Sequence, residues 1–364
     1  NGPTSNLHVV GDALITGNAT ISSNLTVTGN VAVDTDTLFV DTVNDRVGIG
    51  TDDPGAELHV SGTGAIVIPS GTTAQQPTGV TGMIRFNTGV GKLEFYNGAV
   101  WSSIGGVSAT GGAVTNVGEY TIHTFTGTSA SGTFTVMSGG EVEYLVVAGG
   151  GGGGASWEGG GGGAGGLITG TIGNITPGTY TITVGAGGIR GRGSVGVPAN
   201  GNDSSFSGFV ALGGGVGGQH VPTQYPTDGG SGGGGTHTRA TPGNATGSGQ
   251  FGNTGGLGAD STLAGAGGGG AGAVGQVSTS TKGGDGGVGM EIFGSYYAGG
   301  GGGARRSSAA STSGSGGSGG GGNGGTAGQS GTANTGGGGG GGAGGTNSIG
   351  GDGGSGIVII RYLS

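Results

Sequence analysis

Two apolar runs bracket the second half of the chain, at residues 142–148 (VEYLVVA) and 357–363 (IVIIRYL). Both are short, rich in β-branched residues and bounded by glycine, so both are predicted to be strands. They are expected to lie side by side in one sheet. Before and just after the first run, polar and apolar residues alternate at 119–125, 132–136, 167–172 and 179–184, with Pro177-Gly178 as a turn. Short strands at that spacing predict a small β-sandwich. Upstream, residues 82–88, 92–96 and 99–104 form a predicted three-stranded meander, closed by Asn97-Gly98, a strong hairpin signal. Residues 62–78 and 105–113 have no such pattern and are expected to be linkers.

Near the N-terminus a small-polar pair recurs every six residues: Gly11-Asp12, Gly17-Asn18, Ser23-Asn24 and Gly29-Asn30. The positions between are alternately apolar, as in Ile15, Ile21, Leu25, Val27, Val31 and Val33. A six-residue period suits a β-helix or a fibre of intertwined chains; a simple β-meander is the competing reading. Four units are too few to bury one face alone, so neighbouring chains are expected to complete it as a homotrimer.

Between the bracketing strands lie runs of near-pure glycine, at 149–154, 159–163, 213–218, 232–235, 267–270, 299–303, 316–325 and 336–345. Flexible linkers and disorder are the ordinary readings of glycine. A linker joins two bodies, whereas these runs are many, and disorder favours charge, whereas only 8% of residues are charged. The ordered alternative is a bundle of polyproline-II-type helices, each with about three residues per turn and no internal hydrogen bonds. Side by side, such helices satisfy each other's backbone groups, and only glycine permits the approach.

Composition narrows function mainly by exclusion. Glycine makes up 109 of 364 residues, but with nine prolines and no Gly-X-Y period the chain is not collagen. Net charge is −9 and the arginines are scattered, so nucleic acid is not an expected partner. No run reaches the roughly 18 apolar residues of a membrane span, so membrane insertion is not expected. With no cysteine and five dispersed histidines, no metal or cofactor is expected. Gly-x-Ser-x-Gly occurs at Gly229, Ser231 and Gly233, but in so much glycine it is a chance match, and neither enzyme activity nor a catalytic residue is expected. The chain opens on Asn1, as a fragment of a longer protein would.

Residues 40–51 (VDTVNDRVGIGT), with Pro54 and Leu58-His59-Val60, resemble a repeat common in bacteriophage tail fibres and related trimeric surface fibres. The meander also resembles modules of phage fibre proteins. The passage from 143–148 into glycine, the stretch PGTYTITVGAGG at 177–188 and the closing GSGIVIIRY at 354–362 resemble the glycine-rich distal domain of phage receptor-binding fibres and adhesins. The resemblance implies polyglycine helices that hold up variable loops against a host.

The fold expected is mainly β: an intertwined trimeric β shaft (1–62), a small β meander (63–106), then a β-sandwich-framed bundle of polyglycine helices (107–364). Function would lie in the segments between glycine runs. Aromatic residues and arginine lead interface hot spots, which selects Trp157, Tyr225, Arg239, Phe293, Tyr296, Tyr297, Arg305 and Arg306 as candidate receptor contacts, with packing against the bundle as the competing role. The expected protein is an extracellular virion tail-fibre component that binds a host cell-surface protein or glycan and joins an upstream fibre or baseplate protein. The alternative is a structural filament or a capsid or tail decoration protein without a receptor site.

Overall fold

The structure, a computed structural model, describes residues 26, 28, 31–33 and 37–363, except 90, 105, 129–131, 194, 222, 238–240, 248, 260–262, 307–311 and 346. The chain divides into two units at Pro69/Ser70. The hexad repeat lies almost wholly outside the described residues, and so does Arg239.

In the first unit, β1 (Val31–Val33), β2 (Leu38–Asp41), β3 (Arg46–Ile49) and β4 (Leu58–Val60) form one sheet in that order. A turn at Asn44-Asp45 joins β2 and β3, with Asp45 at φ 54°. Asp41 fixes it: its carboxylate accepts from the Val43 and Asn44 amides and from the Asn44 side chain. The Asn44 side-chain bond leads in holding that carboxyl below its usual range.

The second unit opens with β5 (Ser70–Gly71), a 3-10 turn at Thr73–Gln75, β6 (Ile84–Asn87), β7 (Lys92–Tyr96) and β8 (Trp101–Ser103). The meander carries its polar face inside. Arg85 and Glu94 are buried and pair at 2.9 Å, and Asn87 and Gln76 donate to the same carboxylate. Ile84 and Phe86 lie exposed on the other face. Tyr96 and Trp101 meet edge to face at 5.6 Å.

Twelve more strands follow: β9 (Ser108–Thr110), β10 (Ala113–Val117), β11 (Tyr120–Phe125), β12 (Gly132–Ser138), β13 (Gly140–Val147), β14 (Leu167–Ile175), β15 (Gly178–Thr183), β16 (Ser204–Phe206), β17 (Phe209–Ala211), β18 (Met290–Ile292), β19 (Ser295–Tyr297) and β20 (Ile357–Leu363). One sheet has the order β10-β11-β20-β13-β14 and another β17-β16-β15-β12-β9. The bracketing strands do pair, antiparallel, from Glu143↔Arg361 to Val147↔Ile357. Residues 105–113 are not merely a linker: Ser108–Thr110 pairs with β12. Small side chains hid that strand from the pattern. Gly111 and Gly112, at φ 118° and 63°, turn the chain into β10.

Alternation sorts β13 between two cores. Val142, Tyr144 and Val146 join Phe134, Ile182, Phe206 and Ile360 in one. Leu145 and Val147 face the other way, toward Ile357, Ile359 and the β18–β19 hairpin. His123 is fully buried in the first core's wall, with Nδ1 2.7 Å from the Gly111 carbonyl and Nε2 3.0 Å from the Tyr362 hydroxyl. Nδ1–H therefore donates to Gly111, and Nε2 accepts from Tyr362.

Where β13 ends, the glycine bundle begins. Along residues 149–154 the amide donors turn through three directions and repeat. Gly149 and Gly152 donate to Asn202 and Ala199, Gly150 and Gly153 to Gly354 and Gly351, and Gly151 and Gly154 to Gly163 and Gly160, all at 2.8–3.0 Å. The carbonyls repeat likewise: those of 149 and 152 accept from Gly214 and Gly217, those of 150 and 153 from Gly188 and Gly191, and those of 151 and 154 from Gly339 and Gly342. A period of three is what a helix of about three residues per turn produces. The run thus has six bonded neighbours, and the run at 159–166 is surrounded in the same way. The polyglycine segments are an ordered, mutually bonded solid. Among the described residues no helix is long and apolar enough to cross a membrane.

Candidate functional site at the far end of the bundle

Hydrogen-bond order fixes which loops share an end. Runs 188–191, 214–217 and 339–342 pair in parallel with 149–154, because their donors and acceptors rise together. Run 231–234 is parallel to 215–218, and 301–304 is antiparallel to the descending run 159–162. All of these ascend away from the sandwich. Their exits, represented by the described residues 155–158, 192–193, 195–198, 219–221, 223–226, 235–237, 305–306, 312–313, 343–345 and 347–349, therefore gather at the far end.

Buried polar side chains tie those segments together. Gln219, fully buried, accepts from the Ala155 amide through Oε1 at 3.0 Å and donates from Nε2 to the Gly196 carbonyl at 3.0 Å. Ser348 Oγ accepts from the Ser156 amide at 2.7 Å, and its carbonyl accepts from Gly193 N–H. Glu158 bridges to Ala343, and Arg306 N–H donates to the Leu263 carbonyl. Ser156 and Trp157 both sit at positive φ, 64° and 62°, costly for side chains of that size.

The sequence candidates divide between the two ends. Trp157, Tyr225, Arg305 and Arg306 are at the far end. The Arg306 guanidinium lies 4.3 Å over the half-buried Trp157 ring, Tyr225 is 59% exposed, and Arg305 is half-buried with its amide donating to Ser313 Oγ. Phe293, Tyr296 and Tyr297 belong to the β18–β19 hairpin beside the sandwich. Phe293 and Tyr297 pack on the second core. The Arg361 guanidinium, which holds Glu143 from Nη2 at 2.6 Å, lies between the Phe293 and Tyr120 rings at 3.8 and 4.3 Å. Burial raises the Tyr297 phenol above its ordinary range, with a Ser295 hydrogen bond opposing. Tyr296 alone of the three is largely exposed.

Sequence reasoning passed over Glu158 and His237. Glu158 is 1% exposed, and its Oε2 lies 2.9 Å from His237 Nδ1. Burial pushes its carboxyl up, against the opposing charges of Arg306 and His220. His220 stacks on His237 at 5.7 Å. The one available signal was a lone carboxylate between two glycine runs, where water has no room to follow. Among the described residues no group of three or more His, Cys, Asp or Glu could hold a metal.

A family model for a glycine-rich domain matches residues 124–363. The chain belongs to that glycine-rich domain family. The matched span takes in both sandwich sheets from the end of β11 onward, the whole bundle and β20, so the unit that carries the far-end loops is the glycine-rich domain itself. No curated protein matches the chain.

Proposed function

We propose that the far end of the glycine-rich domain is the receptor-contact surface of an extracellular virion fibre protein. It would recognise a host cell-surface protein or glycan by binding, without chemistry. One observation carries the reading: parallel glycine runs deliver their exit loops to one end, interlocked and studded with Trp157, Tyr225, Arg305 and Arg306. Loops on a rigid scaffold are where recognition residues concentrate, and pre-organised loops lose little entropy on binding. The hexad repeat and the fibre-like motif at 40–51 favour a trimeric shaft joined to an upstream fibre or baseplate protein. Three tips per trimer would add avidity to a modest single-site affinity.

The test compares the two ends in the purified full chain. Tyr225→Ala combined with Arg306→Ala should reduce binding to host cells by at least about tenfold, as loss of about 1.4 kcal/mol implies. Tyr296→Ala, also exposed but beside the sandwich, should leave binding intact. Unchanged binding in the folded far-end double variant would favour the structural filament or decoration protein instead.

A further inference from the structure

The sheet of the meander is turned inside out. Its charged residues, Arg85, Lys92 and Glu94, alternate onto one face. Segment 72–76 closes over that face: Gln76 Nε2 donates to Glu94 at 3.1 Å, Asn87 Nδ2 to Thr73 Oγ1 at 3.0 Å, and the Arg85 guanidinium to the Thr72 carbonyl at 3.3 Å. The opposite face holds Ile84 beside Phe95, and Phe86 beside Leu93 and Ile104. There Ile84 is 51% exposed, Phe86 39% and Ile104 45%. Among the described residues, neither core of this unit takes in any residue of the meander. A buried ion pair adds little stability of its own, and a small sheet needs a buried apolar face to hold together. The sheet therefore hides the face that contributes least and bares the one that contributes most.

We propose that this apolar face is a contact between copies of the chain, each meander packing Ile84, Phe86, Leu93, Phe95 and Ile104 against the same face of a second copy. A contiguous bare apolar face marks an interaction site, and charge decides the occupant. Copies of one chain present like to like, so any charge on a shared face meets its own sign. This chain carries a net charge of −9, yet all three charges of the meander lie on the covered face. Contacts between identical subunits are the more apolar class of interface, whereas interfaces with unlike partners are about as polar as ordinary surface. Two such faces can stack as sheets do, about 10 Å apart with side chains interdigitated. Apolar burial there opposes the repulsion between the acidic remainders of the chains. The contact goes beyond the proposed function, which drew on the hexad repeat and the motif at 40–51 for assembly, and it stands whether or not the far end meets a receptor.

The test measures the mass of the full chain in solution by sedimentation across a dilution series. Wild type should sediment as two or more chains per particle at micromolar concentration. Phe86→Asp puts a carboxylate on the face of every copy. It should weaken association by at least about a hundredfold, the equivalent of about 2.8 kcal/mol, with the circular dichroism of the chain unchanged. Val210→Asp, on β17 and 48% exposed, should leave association as it is. If Phe86→Asp does not fold, the milder Ile84→Ser should weaken association by at least about tenfold. A monomeric wild type would overturn the contact. So would equal weakening in Val210→Asp. Association as tight in the folded face variant as in wild type would overturn it too, while leaving a fibre assembled through the hexad repeat intact.

Discussion

Strand β13 and the run at 149–154 are consecutive in the chain, yet they are held in opposite ways. β13 bonds to two neighbours, β14 and β20, and presents side chains above and below to two cores. The glycine run bonds to six neighbours and presents nothing else. A side chain occupies directions a backbone could use; removing every side chain frees those directions for hydrogen bonds. The exchange has a cost, since glycine loses the most conformational freedom on folding. Saturating every buried amide and carbonyl offsets it. The sandwich is therefore stabilised by filling space, and the bundle by leaving none to fill.

That contrast breaks most sharply at Gly151. A methyl group there would run into the Gly215 carbonyl oxygen. To clear it, run 212–218 must move off, loosening the bonds from Gly163 to Gly215 and from Gly214 to Gly149. Overpacking costs about 1–3 kcal/mol, and a buried bond left unmade about 1–3 more. Gly151→Ala should thus cost about 2–6 kcal/mol by denaturant unfolding, with faster amide exchange along 149–154. A change below about 0.5 kcal/mol would mean the runs are not packed as described.

The mirror experiment removes volume from the sandwich. Ile182 is fully buried in the core with Phe134 and Phe206. Ile182→Ala should cost about 2–5 kcal/mol, with the spread set by how far the cavity collapses. Amide exchange should accelerate in β12, β15 and β16 before it does in 149–154. The reverse order would show that the bundle leans on the sandwich for its own stability.

Much of this architecture was legible in the residues. Alternation announced β11, β12, β14 and β15, and apolar runs announced β13 and β20. The glycine bundle followed by elimination, since low charge argued against disorder and only glycine lets backbones touch. The far-end site was less legible. Trp157 and Arg306 are brought together by the alternating course of the runs, which no local pattern encodes. Glu158 and His237 meet for the same reason. Phe293 and Tyr297 show the ambiguity of an aromatic cluster, which reads alike whether it faces a partner or its own sheet; the β18–β19 hairpin packs both residues, half-buried, on the second core. The polar inside of the meander was hidden similarly, because Arg85 and Glu94 look solvent-facing until their pairing at 2.9 Å is seen.

The smallest effect isolates the cause. Gly173 lies in β14, exposed, at a backbone angle any residue adopts, and a methyl group built on it meets nothing within 4 Å. Gly173→Ala makes the same chemical change as Gly151→Ala in the same domain. Here the added carbon displaces no carbonyl, and its main effect is to restrict the unfolded chain. Stability should rise by about 0.4–1 kcal/mol, read as a higher denaturant midpoint at unchanged slope. Opposite signs at the two positions would assign the cost at Gly151 to backbone contact, because the chemical change is the same in both. If Gly173→Ala also loses several kcal/mol, glycine is required here for its conformational freedom, and the six-neighbour packing is not what makes the runs glycine.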